Sequence, residues 1–157
     1  MRAMDVAADI GSGLAKATLA AVVDGKIVGA DTFLPEEGEV QLRLLTKRDP
    51  EALDVMRHSC AHIMARAVMR LFDGVELAFG PTVENGFYYD FSLEHAISEA
   101  DFSKIEAEMA KIIKENEPFE RVVQPRDEAV RLCADLNQKL KVQHIQEGLA
   151  EEETVSF

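Results

Sequence analysis

The sequence predicts an α+β protein in two units, one near residues 1–47 and one near residues 50–157. Three observations carry that reading. Thr18 to Val23 is a short β-run that stops at Asp24-Gly25, a hairpin signal. From Pro50 to Leu71, by contrast, apolar residues recur three or four positions apart, as on one face of a helix. Beyond a glycine- and aromatic-rich block at residues 80–91, two further helical patterns alternate with short β-like runs.

Residues 4–10 read as a short helix, with Met4, Val6, Ala7 and Ile10 apolar and Gly11 as its stop. Gly11-Ser12-Gly13 lacks the strand before and the helix after that a phosphate loop needs, so it reads as a turn. Lys26 to Val28 returns from the hairpin. After a turn around Pro35 to Gly38, Val40, Leu42 and Leu44 alternate with Gln41 and Arg43 as in a half-buried strand. A charged link, Thr46 to Asp49, then leads into the long helix, with Asp49 suited to its cap and Pro50 to its first turn. Its main stripe is Leu53, Met56, Cys60, Met64, Ala67 and Leu71. At about 100° per residue, His58 and His62 share the opposite face with Val55, Ala65 and Met69. A helix apolar on two faces is expected to be covered on both, which would place the two imidazoles in an internal cleft.

Past Asp73-Gly74, the pairs Gly80-Pro81 and Asn85-Gly86 mark turns, and Phe87 to Phe91 reads as an aromatic strand. Ser98, with Asp101 three positions on, opens a helix striped by Phe102, Ile105, Met109 and Ile112. A strand is expected at Phe119 to Val123. Pro125 opens a third helix, apolar at Ala129, Leu132, Cys133, Leu136 and Leu140. Lys141 to Ile145 alternates like a strand, and Thr154 to Phe157 begins another.

Of 157 residues, 29 are Asp or Glu and 17 are Lys or Arg, for a net charge of −12. Phosphate affinity comes largely from basic side chains, so this balance counts against a dedicated nucleic-acid binder and leaves any RNA contact local. The longest apolar run, Leu19 to Val23, is too short to span a bilayer, and the N-terminus lacks the apolar core of a signal peptide. Cys60 and Cys133 both lie on helical stripes and read as reduced core thiols of a cytoplasmic protein.

Two histidines four positions apart can chelate one zinc ion, but zinc also needs a third protein ligand. Cys60 points to the other side of the helix, and Ser59 stands where a His-Glu zinc protease would carry its general base. From the residues alone, a functional site and simple packing both stay open for the pair. His95 and His144 are isolated and read as surface or strand residues.

Together, His-Ser-Cys-Ala-His at residues 58–62, the block at 80–91 and Lys-Val-Gln-His-Ile at 141–145 resemble the N-terminal region of bacterial threonyl-tRNA synthetases. The resemblance implies a small ubiquitin-like β-grasp (TGS) domain over residues 1–47, lacking its first hairpin. It also implies an editing domain of the threonyl/alanyl type over 50–157, with a His-bearing helix packed on an antiparallel sheet. In such a domain His58 and His62 would position the ester and the attacking water, and Lys141 would hold the substrate and that water. Gly80 and Tyr89 would line the pocket for the terminal adenosine and the seryl group. The family's acidic residue and Cys-x-x-x-His pair would follow the strand that starts at Val155, so the site is expected to be half present, with weak or absent zinc binding.

No cofactor is expected for this chain; ATP, magnesium and zinc are implied only for a full-length ligase. The implied partners are the aminoacylated acceptor end of tRNA(Thr) and the rest of the synthetase, which is a homodimer in the family; no membrane is implied. Two activities stay open, an editing hydrolase acting on Ser-tRNA(Thr) and a catalytically silent tRNA- or protein-binding module. Without a first hairpin, Thr18 to Val23 is expected to be an unpaired sheet edge through which the chain self-associates.

Overall fold

Small apolar residues in the first part of the chain collect on a three-stranded antiparallel sheet. In the computed structural model, which describes residues 1–149 and 151–157, its centre is β1 (Thr18–Val23). β2 (Lys26–Gly29) pairs along one side and β3 (Leu42–Thr46) along the other. Asp24 (φ 48°) and Gly25 (φ 81°) are both left-handed, the turn a two-residue hairpin needs. This arrangement corrects the expected open edge. The chain returns through Leu42–Thr46 on the far side of β1, so Ala20–Val23 is paired on both flanks and the sheet edges are mainly the outer sides of β2 and β3.

Two helices precede the sheet, α1 (Ala3–Ile10) and α2 (Ser12–Ala17). The second replaces the turn expected at Gly11-Ser12-Gly13: Gly11 is extended, ends α1 and offers its carbonyl to Ala15 N, starting a new helix. A helix precedes this segment in place of a strand, so it still lacks the setting of a phosphate loop. The first residues are tied to the loop after β2. Arg2 bridges Phe33, Met4 N donates to Ala30 O (2.7 Å), and Leu34 N donates to Met1 O (2.9 Å).

Pro50 begins α3 (Pro50–Leu71) as expected. Asp49, however, turns back, its carboxylate accepting from Thr46 N (2.8 Å) and Thr46 Oγ1 (3.1 Å). The compact units are Met1–Ser59 and Cys60–Phe157, so the division runs through α3. In the first unit Ala52 of α3, with Val55 beside it, joins Ala20 and Leu45 in the core.

In the second unit Ala67 and Val68 of α3 pack with Val75 and with Ile105 and Ile112 of α4 (Glu99–Glu115). Asp101 makes the expected reciprocal cap of α4, accepting from Ser98 N and Ser98 Oγ (both 3.1 Å). The strands here are short. β4 (Glu76–Leu77) pairs with β7 (Phe91–Ser92), β5 (Thr82–Val83) with β6 (Gly86–Phe87), and β8 (Val123–Pro125) with β9 (Thr154–Ser156). Two-stranded ladders thus stand where one antiparallel sheet was expected, with Gly80-Pro81 separating β4 from β5 and Asn85-Gly86 turning β5 into β6. The strand expected through Phe87–Phe91 is split between β6 and β7, and the one expected from Phe119 starts only at Val123.

α5 (Arg126–Asp135) is followed by α6 (Lys139–Gln143) and a wide π-type turn, His144–Gly148. The strand expected at residues 141–145 does not form. Val142, Ile145 and Leu149 are three and four positions apart and pack on Ala129 and Cys133, so helical spacing overrides the local alternation. Leu136, assigned by sequence to the α5 stripe, is 60 % exposed just past the helix end. Among the described residues no helix is long and apolar enough to cross a membrane.

Candidate functional site

The packing of α3 decides where its histidines point. The helix buries Ala61, Ala65, Ala67 and Val68, while Leu53 and Met56, assigned to the stripe by size, are each 47 % exposed. Packing through small residues leaves the histidine-bearing side open, so His58 and His62 are exposed and do not sit in the expected internal cleft. His62 lies against Phe119, with ring centroids 6.1 Å apart. Together they line a shallow groove of about 210 Å³ with Ile63, Arg66, Ile112 and Pro118. Arg66 is ion-paired with Glu117 at its rim.

The other predicted site residues gather around the end of β4. Beyond Leu77 the pairing with the β7 side continues irregularly, Ala78 N donating to Asp90 O (3.0 Å) and Asp90 N to Phe79 O (2.7 Å). That pairing lays Tyr89 flat against Gly80. A Cβ on Gly80 would stand 2.2 and 2.4 Å from two Tyr89 ring carbons, so only a residue without a side chain fits. The Tyr89 ring stacks on Phe91 (4.9 Å, 15°), and burial pushes its phenol pKa up. Lys141, in α6, donates from Nζ to Ala78 O (2.7 Å) and lies 5.9 Å from the centre of the Phe79 ring. Its half-buried setting disfavours the ammonium and lowers its pKa; an ionised Cys133 nearby would act the other way. His144 meets the Phe79 ring edge-on at 4.8 Å, not from a strand but from the π-type turn. Gly148 leaves room for that imidazole, since a Cβ there would stand 2.9 Å from its Nδ1.

Tyr89 also walls a larger, mostly apolar cavity of about 790 Å³ with Met64, Val68, Phe91, Ile105 and Met109. His95 stands in the same wall, stacked on Phe72 (4.7 Å) with Nε2 3.0 Å from Asp101 Oδ2. That contact, with help from Ser98 N, holds the Asp101 carboxyl down at about 2.

The structure therefore brings Gly80, Tyr89 and Lys141 together and sets His62 apart. On α3, His62, Ile63 and Arg66 line the groove, whereas Met64 and Val68 line the cavity that Tyr89 walls. At about 100° per residue those sets occupy opposite faces. Among the described residues no three His, Cys, Asp or Glu side chains converge, so no zinc-ligand set is assembled around the histidine pair. Sequence reasoning missed Phe79, Gln138 and the role of His144. Phe79 adjoins Gly80, and Gly148 stands four positions after His144, but neither spacing reveals a ring contact. Gln138 carries no sequence signal at all.

Residues 1–44 match the family model of the TGS domain. A threonine–tRNA ligase from Rhodopirellula baltica is 60 % identical over 161 residues, covering 99 % of this chain and 21 % of that protein. Threonine–tRNA ligases from Geobacillus kaustophilus (47 % over 141 residues, 90 % of this chain and 21 % of that protein) and Marinobacter nauticus (45 % over 153 residues, 98 % and 23 %) are also similar. The chain spans about a fifth of the length of these curated relatives. By sequence, then, the chain is similar along nearly all of its length to a part of these threonine–tRNA ligases, and its first 44 residues match the TGS domain.

Proposed function

We propose that this chain is the proofreading part of a cytoplasmic threonine–tRNA ligase, with residues 1–47 as a TGS domain and residues 50–157 as the module that hydrolyses Ser-tRNA(Thr). The supporting observation is the cluster at the end of β4: the bare backbone of Gly80 under the Tyr89 ring, with the Lys141 amine fixed two residues away on Ala78 O. Serine lacks only a methyl that threonine carries. A missing methyl is worth roughly 1–3 kcal/mol in a pocket, too little for accurate translation, so a second, smaller site has to remove the error. Ester hydrolysis needs a placed water, a group to manage its proton and a positive or hydrogen-bonding group for the developing oxyanion. A half-buried lysine suits the last task, and the imidazoles of His58 and His62 suit the second. The partners in this reading are the acceptor end of tRNA(Thr) and the remainder of a homodimeric ligase, whose ATP, magnesium and zinc chemistry lies outside these residues.

A specific observation favours a second reading. His62 opens on the Phe119 groove while Tyr89 walls a cavity on the other face of α3, the arrangement of a catalytically silent module that contacts tRNA or another protein. Incubating the purified chain with radiolabelled Ser-tRNA(Thr) and Thr-tRNA(Thr) separates the two. The hydrolase reading expects loss of serine only, slowed about 10²-fold or more in His58→Ala, His62→Ala or Lys141→Ala. Hydrolysis no faster than in buffer, with tRNA binding retained in a fluorescence anisotropy assay, would establish the silent module instead.

A further inference from the structure

We infer that Gln138 is the positioning residue of this cluster: its side-chain amide serves as a strand neighbour for Val75–Leu77 and thereby holds Lys141 against Ala78. As a statement about catalysis this rests on the hydrolase reading; as a statement about Lys141 it does not.

Gln138 is 8 % exposed. Its Oε1 accepts from Leu77 N (2.7 Å), and its Nε2 donates to Val75 O (2.9 Å). A primary amide presents one acceptor and one donor side by side, as a peptide group does, so it can satisfy residues i and i+2 of a strand edge. β4 has β7 as its strand partner, and the Gln138 amide adds a second set of hydrogen bonds to it.

The backbone explains why this glutamine reaches the strand. Asn137 is left-handed (φ 55°) and Gln138 is non-helical (φ −92°, ψ 69°), so the chain corners between α5 and α6. At that corner Gln138 N donates to Cys133 O (2.8 Å), closing α5, and Gln138 O accepts from Val142 N (3.1 Å), opening α6. Main chain and side chain together use every polar atom of the residue. One turn further on, Lys141 donates to Ala78 O. Two residues three positions apart thus place three hydrogen bonds along residues 75–78, the stretch that leads directly to Gly80. Without the amide, Val75 O and Leu77 N lose a partner that water cannot readily replace in a buried setting, and the first turn of α6 loses its anchor.

The test reads Lys141 directly. In the full chain, the Cε–Hε resonances of Lys141 are titrated by NMR in the wild type, in Gln138→Met and in Ile112→Ala. Met keeps the length and bulk of the side chain but cannot make either bond; Ile112→Ala lowers stability from the α3–α4 core, away from α6. Among the described residues the Cys133 thiol lies near the amine, and the Phe79 ring beside the amine also meets His144. In Gln138→Met the Lys141 midpoint is expected to rise toward those of exposed lysines. In Ile112→Ala it is expected to stay in place although the melting temperature falls. An unchanged Lys141 midpoint in Gln138→Met, or an equal rise in Ile112→Ala, would overturn the inference. If Gln138→Met does not fold, Gln138→Asn, whose amide is one methylene too short to make both bonds, is held to the same two criteria. Ser-tRNA(Thr) hydrolysis is followed in parallel, with kcat expected to fall about tenfold or more in Gln138→Met while KM holds. A wild type that hydrolyses nothing defeats the hydrolase reading, and the titration still decides Gln138.

Discussion

Adding a single methyl at Gly80 is the sharpest perturbation of this cluster. The backbone itself would accept it, because Gly80 does not lie in the left-handed region. The cost is steric. In Gly80→Ala the new carbon would meet Tyr89 ring atoms at 2.2 and 2.4 Å, whereas ordinary contact begins near 3.4 Å. The ring would have to retreat by roughly 1 Å, out of its 4.9 Å stack on Phe91. Overpacking of this kind costs about 1–3 kcal/mol, and a disturbed aromatic pair accounts for ~0.5–1.5 kcal/mol of that. Reduced freedom of the unfolded chain returns about 0.4–1 kcal/mol. The net is on the order of 1–2 kcal/mol, which in a unit of this size lowers the melting temperature by roughly 5–15 °C. Thermal melts followed by near-ultraviolet tyrosine circular dichroism would measure it. A double-mutant cycle with Tyr89→Ala isolates the cause, since the added methyl has nothing to strike once the ring is gone. The coupling should be about 1 kcal/mol or more. An equal cost of Gly80→Ala in both backgrounds would refute the reasoning.

Three further perturbations follow from the same geometry. Burial lowers the Lys141 pKa in the folded state, so between that value and the ordinary lysine range near 10.5 the unfolded chain binds more protons and stability rises with pH. Lys141→Met should flatten that rise in urea midpoints taken across the alkaline range, and identical slopes would contradict the assignment. Asp101 is depressed to about 2 from 3.8, so its contribution is present above the unfolded value and lost as pH falls toward the folded one. Asp101→Asn should therefore show a shallower loss of stability between about pH 4 and 2, measured by urea titration. Gly25, at φ 81°, should cost about 1 kcal/mol on replacement by Ala, seen as faster hydrogen exchange along β1 and β2 while the second unit is unchanged.

Elements announced by local chemistry were legible in the sequence. Asp24-Gly25 specified its hairpin, Pro50 began α3, and Ser98 with Asp101 opened α4, each through backbone preferences that need no tertiary partner. Elements decided by packing were not. α2 starts on a Ser-Gly pair that reads as a turn, and α6 replaces a strand because Val142 and Ile145 find Ala129 and Cys133. The same limit governed the site. Gly80 and Tyr89 were singled out by motif and do meet. The orientation of the histidines was inferred from large apolar residues, whereas α3 packs through alanines that a hydrophobic stripe undercounts. Gln138 was invisible because a polar residue at a helix corner looks like surface until its amide is seen bonded to a strand.

The bonds that fasten Met1, Arg2, Ala3 and Met4 to residues 30–34 give the loop between β2 and β3 a rigidity its own composition would not. Leu34 sits in coil, yet its amide is committed to the first carbonyl of the chain, so its exchange should resemble that of the sheet. Substitutions that displace residues 1–4 would consequently register first in residues 30–34, remote in sequence, where a change designed to be harmless loosens the strap.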